Sequence, residues 1–473
     1  MASLALLLLL LDASPVLGTA TAGIKGRVTR SALDYGHRLG LHALHALLRA
    51  EHELNLTGSY RVPLLGELRF AVPRLRVQGL QLNDSSAEFA PAVGVRLSLR
   101  RAELQLHAEW AAQLWPVQDG GTVDVHAGDV AVAAVLAVGA DAGGRPAVRS
   151  TDCHSSIGSL RLEFHGGQSW LYNLLAPALQ GPLRLELNKH LCTELQRQVR
   201  RLQDTLDSWR VSVQLDPFAA IDYSLLQEPE ITAEHGDLSI KGEFFGVGRR
   251  QQSPFSAAPV PLPVAEEPML LVGVTEFVAN SAAFVYFTAG ALRWTVTGAM
   301  LPRRFPLRLS TEGLGLFAPQ LQELYPERPV ELVLWARRQP LLWCRPAGLR
   351  LALRGAAEAS VLLPNGTRAP AFLLRIDANV TGKPVLSASR IGGSVSLLGL
   401  SVEQEESHVG PLEVKSLENL LSFGLRLFGL PLANRKLRAG FPLPVPRGLR
   451  LLQPRVTLQE GFALVTTDLQ YEP

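Results

Sequence analysis

The chain has 473 residues, of which 47% are hydrophobic and 19% are charged, and its formal net charge is +3. This length predicts more than one domain, since a domain averages about 150 residues. The weak net charge gives no bulk electrostatic reason to expect a nucleic-acid partner. Six lysines leave 40 arginines among the 46 basic residues, and arginine can bind a phosphate or a carboxylate through two hydrogen bonds.

The N-terminus has the pattern of a secretory leader. The apolar run from Leu4 to Leu11 is too short to cross a bilayer core of about 30 Å as a helix, and small residues follow it up to Gly23. We predict that residues 1–22 are a signal peptide and that the protein is secreted and extracellular. Four Asn-X-Ser/Thr sequons agree with export. Their acceptor residues are Asn55, Asn83, Asn365 and Asn379.

Secretion also affects how the three cysteines are interpreted. An oxidising compartment favours disulfides, so Cys153 and Cys192 are candidates for a bridge, with Cys344 left over. Such a bridge would join a strand-like segment to a helix and close a loop of about 40 residues, a stabilisation of roughly 3–4 kcal/mol in the chain-entropy model. The alternative is that all three thiols are free.

The first half of the sequence predicts two helices and a sheet. A helix over 29–52 has leucines on one face, and a second helix over about 170–209 carries a stripe of leucine and valine, with Pro177 and Pro182 breaking its first part. Between the helices, residues 59–138 contain runs that alternate between polar and apolar, which is typical of antiparallel strands with one buried face.

A proline-rich segment at 246–268 predicts a boundary between two halves of the chain. Strand patterns return after it, together with helical patterns near 317–324 and 417–437. We therefore predict an α+β fold of two similar domains, residues 23–245 and 269–473, each containing a twisted antiparallel sheet and helices.

The sequence contains no local signature of catalysis or metal binding. It has no G-x-S-x-G elbow, no H-E-x-x-H motif, no P-loop and no C-x-x-C pair, and its 11 histidines are scattered. We predict that the protein is not an enzyme and uses no cofactor.

Several short motifs carry a family resemblance that extends from about residue 23 to the end of the chain. They are Ala32-Leu33-Asp34-Tyr35-Gly36, Ile221-Asp222-Tyr223-Ser224-Leu225, Lys241-Gly242-Glu243-Phe244, Asn434-Arg435-Lys436-Leu437 and Gly440-Phe441-Pro442-Leu443-Pro444, with the Cys153 and Cys192 pair and the proline-rich segment. The sequence resembles the family of bactericidal permeability-increasing, lipopolysaccharide-binding, phospholipid-transfer and cholesteryl-ester-transfer proteins.

The resemblance implies a boomerang of two barrel-like domains that share a central sheet, each with an apolar pocket that holds a bound phospholipid as ligand. Acyl chains in such a pocket gain about 0.8 kcal/mol per buried methylene. We expect helices at 29–52 and 187–206 to wall the first pocket and the two later helices to wall the second. The residues expected to face the first pocket are Leu41, Leu44, Leu48, Leu191, Leu195, Val199 and Leu202.

The resemblance also implies a cationic tip on the N-terminal domain, where basic residues bind lipid A phosphates. The candidates here are Arg61, Arg69, Arg96, Arg100 and Arg101. The second hairpin of this tip departs from the family pattern, because Trp110-Ala111-Ala112-Gln113-Leu114-Trp115 has no positive charge. Trp110 and Trp115 suit an anchor at a lipid interface, and Trp110 is equally compatible with the core.

Three functions remain open at this point. The first is innate-immune, antibacterial recognition of lipopolysaccharide or related lipids through apolar pockets and an arginine-rich surface. The second is transfer of phospholipid between membranes or lipoproteins, and the third is a structural or receptor-binding role for a glycoprotein. The expected partners are lipopolysaccharide, phospholipids and membrane or lipoprotein surfaces, without nucleic acid, and the chain is expected to be a monomer.

Overall fold

The structure is a computed structural model that describes most of the chain. The described residues are 22–49, 56–62, 66–114, 117–264, 267–301, 305, 307–387, 390–439, 441–442 and 448–472. Within them, no helix combines the length and the apolar character needed to cross a membrane.

The described residues of the first half form two helices and twelve strands. In chain order they are β1 (Ile24–Thr29), α1 (Arg30–Arg49), β2 (Leu56–Val62), β3 (Gly66–Gln81), β4 (Asp84–Ala90), β5 (Gly94–Leu114), β6 (Val117–Ala140), β7 (Pro146–His165), α2 (Ser169–Asp207), β8 (Ser212–Gln214), β9 (Ala219–Asp222), β10 (Glu230–Ile231), β11 (His235–Ile240) and β12 (Glu243–Gly246).

The second half repeats much of this order. Its elements are β13 (Leu270–Thr275), α3 (Glu276–Thr288), β14 (Arg293–Val296), α4 (Thr311–Gly315), α5 (Pro319–Leu324), β15 (Val330–Arg345), β16 (Gly348–Leu362), β17 (Arg368–Leu386), β18 (Arg390–Ser407), α6 (Val414–Gly424), α7 (Leu430–Ala439), β19 (Phe441–Pro442), β20 (Leu449–Leu458) and β21 (Phe462–Tyr471). A turn of π-helix, Leu425–Gly429, joins α6 to α7, and a turn of 3-10 helix, Gly298–Met300, follows β14.

Each domain is built on an antiparallel sheet of long strands. The first sheet has the order β2-β3-β5-β6-β7, with β4 paired to the start of β5, and the second has the order β14-β15-β16-β17-β18-β19. Register shifts interrupt the β5–β6 pairing between Leu99 and Leu104, and such bulges bend and twist a strand. The first sheet therefore curls into a half-barrel, and the predicted α+β fold of two similar domains is confirmed.

A central sheet joins the two domains. Its order is β10-β11-β1-β13-β21-β20, so β1 from the first half lies directly beside β13 from the second. In both halves a short strand of this sheet leads into a helix, α1 after β1 and α3 after β13. The two halves are thus joined by hydrogen bonds between strands of one shared sheet.

The proline-rich segment packs onto the central sheet. Val260 and Leu262 join an apolar cluster with Leu271 of β13. A Cβ added at Gly273 would lie 2.3 Å from a Val260 methyl carbon, so glycine is required for this close approach. Arg27 donates hydrogen bonds to the carbonyl oxygens of Leu262 and Pro263. The segment is therefore fixed to both halves.

Arg27 also makes the main buried ion pair of the central sheet. It is paired across the β1–β11 strands with Asp237, and its Nε and Nη2 donate to the two carboxylate oxygens at 2.6 and 2.7 Å. Burial raises the pKa of Asp237, but the hydrogen bonds and charge of Arg27, with the charges of Lys25 and His235, outweigh it and lower the pKa.

Helix α2 packs mainly against β7, and a disulfide bond fixes it there. The bond joins Cys153 of β7 to Cys192 of α2, whose Cα atoms are 5.9 Å apart. Cys344 is a free thiol and is buried, and this burial together with the nearby Glu276 carboxylate raises its pKa to about 11. The pairing proposed from the sequence is present, and the remaining thiol is shielded from solvent.

The helices agree with the sequence only in part. The predicted segments 29–52 and 170–209 correspond to α1 and α2. The segment at 317–324 corresponds to α5, which the short helix α4 precedes, and that at 417–437 is one run of α6, the π turn and α7. Helix α3 was not predicted, because its central sequence is rich in alanine, phenylalanine and β-branched residues without a clear polar face.

Removing the disulfide should destabilise the first domain. We expect Cys153→Ser to lower the free energy of unfolding by about 3–4 kcal/mol, because the 39-residue separation of the two cysteines leaves a long loop unconstrained in the unfolded chain. Thermal unfolding followed by circular dichroism measures this. Cys344→Ala is the control, with an expected cost of about 1 kcal/mol, and equal losses in the two variants would contradict the structural role of the bond.

Neutralising Asp237 should weaken the central sheet in a pH-dependent way. Asp237→Asn leaves Arg27 buried without its counter-charge, at a cost of about 3–5 kcal/mol. Because the folded-state pKa of Asp237 is lowered, its contribution is present above the unfolded pKa of about 3.9 and is lost as pH falls through the folded value.

Melting temperatures of both proteins between neutral and acidic pH would test this. The difference between wild type and Asp237→Asn should be constant near neutral pH and shrink in acid. Glu403→Gln removes an exposed partner of Arg375 and serves as the control, with an expected effect under about 1 kcal/mol. A difference that grows in acid would be inconsistent with this assignment.

Candidate functional site

An apolar cleft lies between α2 and the curved sheet of the first domain. Strands β3, β5, β6 and β7 form one wall and the first half of α2 forms the other. The lining residues are Phe70, Val72, Leu106, Ala108, Trp110, Ala112, Val123, Val125, Leu162, Phe164, Tyr172, Leu179, Pro182, Leu183 and Leu187. The cleft has a cavity volume of about 60 Å³, and all of its empty space, counted together with the open solvent at its mouth, totals about 750 Å³.

Strand alternation produces the sheet wall of this cleft. Leu106 and Ala108 of β5 pair with Val125 and Val123 of β6, and all four are buried. Because successive side chains point to opposite faces of a strand, the residues between them face outward. The wall is therefore continuous apolar surface, and the polar residues of the same strands lie on its reverse side.

A hydrogen-bonded cluster occupies the reverse side. Asp124 contacts His107 Nδ1 at 2.6 Å and His165 Nε2 at 3.1 Å. The hydrogen bond from His107 is the main reason that the pKa of Asp124 lies below its usual value. Within the described residues, no group of three or more His, Cys, Asp or Glu is arranged to hold a metal ion. The cluster is a polar, solvent-facing counterpart of the apolar wall.

Three aromatic side chains close one part of the cleft. The ring centroid of Trp110 lies 4.4 Å from that of Tyr172 and 5.5 Å from that of Phe164, and Trp110 Nε1 donates to the Thr122 carbonyl oxygen. Trp110 is only 5% exposed, so of the two roles that the sequence left open, interfacial anchor or core residue, the structure supports the core role. Its alternation with Leu106 and Ala108 is the sequence signal for this. Trp115 lies outside the described residues.

The helical wall comes from a different part of α2 than the sequence indicated. None of Leu191, Leu195, Val199 and Leu202 lines the cleft. Leu191 packs beside the core cluster and Val199 is buried, whereas Leu202 is 48% exposed. The prediction for Leu202 is thus wrong, because the second half of α2 lies along β7 beyond the cleft. A regular stripe of leucines does not reveal which turns of a long helix cover a cavity.

Helix α1 does not contribute lining residues either. Leu41 and Leu44 are half-buried, and neither is among the residues that line the cleft. Helix α1 packs against β3 and β4. The side chain of Leu48 lies outside the described part of the structure. Of the two helices expected to enclose the pocket, only α2 does so among the described residues.

The arginines proposed as phosphate ligands do not converge. Arg61 and Arg69 lie on the β2–β3 hairpin, where Arg69 forms an ion pair with Glu67. Arg69 is paired with Gln113 at one end of β5, while Arg96, Arg100 and Arg101 lie near the other end. The 17-residue separation of Gln113 and Arg96 corresponds to roughly 50 Å of strand.

All five arginines are exposed, and Arg101 forms an ion pair with Asp84. The structure therefore distributes these charges over two distant regions of the first domain. The five arginines therefore do not form one surface, and contact of any of them with a lipid phosphate stays a prediction.

The second domain has a filled interior where a second pocket was expected. Phe317, Leu321 and Leu417 belong to a buried cluster with the inward-facing residues of β15, β16 and β17. The helices that were predicted to wall a pocket thus pack against the sheet. A separate cleft lined by Trp343, Arg350, Asn379 and other residues has mixed polarity. The described side chains give no support for a second apolar pocket.

Three of the predicted glycosylation acceptors are accessible. Asn83, Asn365 and Asn379 are exposed, so a glycan at any of them would not displace core residues. Asn55 lies outside the described residues. Glycosylation of these positions stays a prediction.

Taken together, the curled antiparallel sheets and the central sheet define a two-domain protein of the half-barrel fold class. The sequence profile of the "LBP / BPI / CETP family, N-terminal domain" matches residues 32–205, and that of the C-terminal domain matches residues 213–471. The chain belongs to the LBP / BPI / CETP family, which confirms the resemblance carried by the sequence motifs.

Individual relatives match over nearly the whole chain. Bactericidal permeability-increasing protein of Sebastes schlegelii is 31% identical over 458 residues, covering 97% of both chains. Lipopolysaccharide-binding protein of Homo sapiens is 30% identical over 467 residues, covering 98% of this chain and 97% of its own. A crystal structure of lipopolysaccharide binding protein superposes with a TM-score of 0.60 at 27% identity, covering 95% of this chain and 99% of that one.

Proposed function

We propose that this is a secreted lipid-binding protein that takes the acyl chains of an amphipathic lipid into the cleft beneath α2. The observation that carries this proposal is the lining, which consists of apolar and aromatic side chains from four strands and one helix. An acyl chain gains about 0.8 kcal/mol for each methylene that it removes from water. A cleft of this kind favours hydrocarbon over any polar ligand.

The size of the enclosed cavity implies that α2 must move when lipid enters. A cavity volume of about 60 Å³ has room for about four to six water-sized groups at roughly 10–15 Å³ each, fewer than the methylenes of a lipid tail. The open part of the cleft faces solvent, and α2 is the wall that is not part of the sheet. We propose that acyl chains enter as a part of α2 moves away from the sheet.

The segment 174–183 of α2 is suited to this movement. Its neighbours are attached by polar contacts: Asn173 hydrogen-bonds to the Phe164 backbone and Arg184 to the Gly158 carbonyl oxygen. Among the described hydrogen bonds, none joins residues 174–183 to the sheet. Pro177 and Pro182 lie within this segment and lack the N–H group that a helix uses for its own hydrogen bonds. Apolar contacts alone hold it over the cleft.

The relatives suggest which lipids to consider. Proteins named for binding lipopolysaccharide and for increasing bacterial permeability are about 30% identical over nearly the whole chain. We propose phospholipid and lipopolysaccharide as ligands and an extracellular, innate-immune role. The paired cysteines and exposed sequon asparagines support export. The head group would remain at the cleft mouth, because the lining offers no charged partner.

Lipid transfer is a second candidate function. Arg69 and Arg101 are engaged with carboxylates, and the arginines of the first domain are divided between two regions. This arrangement does not resemble a clamp for the phosphates of lipid A. A protein that recognises mainly acyl chains, and exchanges phospholipid between surfaces, requires no such clamp.

Blocking the cleft should abolish lipid binding. In native mass spectrometry we expect wild-type protein, after incubation with phosphatidylcholine vesicles, to carry one phospholipid in the first domain. Ala108→Leu combined with Ala112→Leu should reduce the bound fraction at least about tenfold, because the added side chains occupy the cleft and overpack it at a cost of about 1–3 kcal/mol each.

Ala134→Leu is the matched control, since Ala134 is equally buried in β6 and does not line the cleft. Lipid-free wild-type protein, or equal loss of lipid in the control, would refute uptake by the cleft and would favour a structural or receptor-binding role.

The arginines of the β2–β3 hairpin should contribute little to endotoxin binding. We expect Arg61→Ala combined with Arg69→Ala to change the affinity for lipopolysaccharide less than about threefold, because Arg69 is already paired with Glu67 and exposed charge pairs contribute about 0–1 kcal/mol. Isothermal titration with purified lipopolysaccharide measures this. A loss of tenfold or more would restore the phosphate-binding tip of the first domain as the recognition site.

A further inference from the structure

The helical run formed by α6, the π turn and α7 exposes large apolar side chains. Phe423, Leu427 and Leu432 are 58%, 53% and 48% exposed. A four-residue step separates the first two, and a five-residue step spans the π turn between the last two. Because a π turn is hydrogen-bonded from i to i+5, both steps advance the chain by about one turn. The three side chains therefore follow one side of the run.

The opposite side of this run is already buried against its own domain. Leu417 is 2% exposed within the core cluster of the second domain, and Phe428 packs against Phe305 with ring centroids 6.0 Å apart. Asn434 forms two hydrogen bonds with the backbone of Val395. The contacts that hold the run on its own domain therefore do not involve the exposed apolar side chains.

Most of this run and the strand segment beside it carry positive charge only. Residues 378–402 and 419–442 contain no aspartate or glutamate, and Glu418 at the start of the run is paired with Lys415. The basic residues of the two segments are Lys383, Arg390, Arg426, Arg435, Lys436 and Arg438. The two segments lie together, since Arg390 donates to the Ala439 carbonyl oxygen and Ile391 pairs with Phe441. Among the described ion pairs, none neutralises Arg426, Arg435 or Arg438.

The exposed leucines of α2 lie among both positive and negative charges. Leu174, Leu185 and Leu202 are exposed on α2, but that helix alternates positive with negative charge, as in the Lys189–Glu186 and Arg197–Glu194 ion pairs. Mixed charge of this kind suits a solvated helix face. In the α6–α7 run, by contrast, the exposed apolar side chains lie in a segment, residues 419–439, whose charged residues are all basic.

We infer that the α6–α7 run is a second lipid contact, which docks this end of the second domain on an anionic phospholipid bilayer. Helices that lie in a bilayer interface bury apolar side chains at the head-group boundary and place arginine and lysine against lipid phosphates. We name the surface formed by Phe423, Leu427, Leu432, Arg426, Arg435 and Arg438 the basic apolar surface. It differs from the cleft of the proposed function in domain, in chemistry and in what it recognises.

Vesicle co-sedimentation of the full chain tests this inference. We expect binding to vesicles of phosphatidylcholine with about one quarter phosphatidylglycerol and at least tenfold weaker binding to phosphatidylcholine alone, because each arginine near an anionic surface strengthens binding several-fold. Arg435→Glu combined with Arg438→Glu should weaken binding at least tenfold. Leu427→Ser combined with Leu432→Ser should also weaken it, independently of charge.

Matched controls come from α2. Arg200→Glu combined with Arg201→Glu makes the same change of charge on an exposed helix, and Leu202→Ser removes an apolar side chain that is as exposed as Leu432. Both should bind vesicles as wild type does. Circular dichroism melting confirms that each variant is folded.

Several outcomes would overturn the inference. The inference is wrong if wild type does not bind the anionic vesicles, if it binds both vesicle types equally, or if the α2 controls lose binding to the same extent. Absence of binding to anionic vesicles would favour a protein partner for this surface. The cleft-blocking pair Ala108→Leu and Ala112→Leu should leave vesicle docking intact. Failure of lipid uptake and failure of docking can therefore be distinguished.

Discussion

The packing of α2 on the curved first-domain sheet is the interaction on which the proposed function depends. The sheet presents a continuous apolar wall because β5 and β6 keep their inward residues in register, and that wall must be covered in water. Helix α2 covers it with side chains that fill most of the space. The disulfide bond to β7 fixes the helix beyond the cleft, whereas no described hydrogen bond joins the segment over the cleft, residues 174–183, to the sheet.

The two domains have similar topologies, but their helices cover the apolar face of the sheet in different ways. In the first, one helix with two internal prolines spans the curved sheet and leaves a cleft. In the second, the short helices α4 and α5 and the α6–α7 run place phenylalanine and leucine directly onto the sheet. The second domain instead exposes large apolar side chains on its outer surface, at Phe423, Leu427 and Leu432, next to positively charged residues. Similar folds can therefore support an internal and an external mode of lipid contact within one chain.

The central sheet determines how these two modes are combined. Strand β1 lies between β11 and β13, and Arg27 contacts Asp237 on one side and the proline-rich segment on the other. A segment that the sequence predicts to be a stiff extended connector between the domains is thus part of the packed interface. The domains are expected to act as one unit, because separating them would expose a buried ion pair and an apolar cluster.

The sequence by itself determined the alternating strands, the two long helices of the first half, the cysteine pair and the family, because these features depend on local periodicity and on short motifs. It also indicated an apolar site beneath a long helix. Only the tertiary structure decided which turns of α2 cover the cleft, that Trp110 is buried, and that Arg69 and Arg96 lie at opposite ends of a strand.

The reason is that each of these outcomes depends on contacts between residues far apart in the chain. A stripe of leucines from Leu187 to Leu206 has the same period along its whole length, and the sheet beneath it sets where the helix meets a cavity. In the same way, the sequence shows that the charged residues of 419–442 are all basic. That this segment lies beside residues 378–402 follows only from the packing of α7 on β18. Periodicity is local, whereas a binding surface is assembled from distant segments.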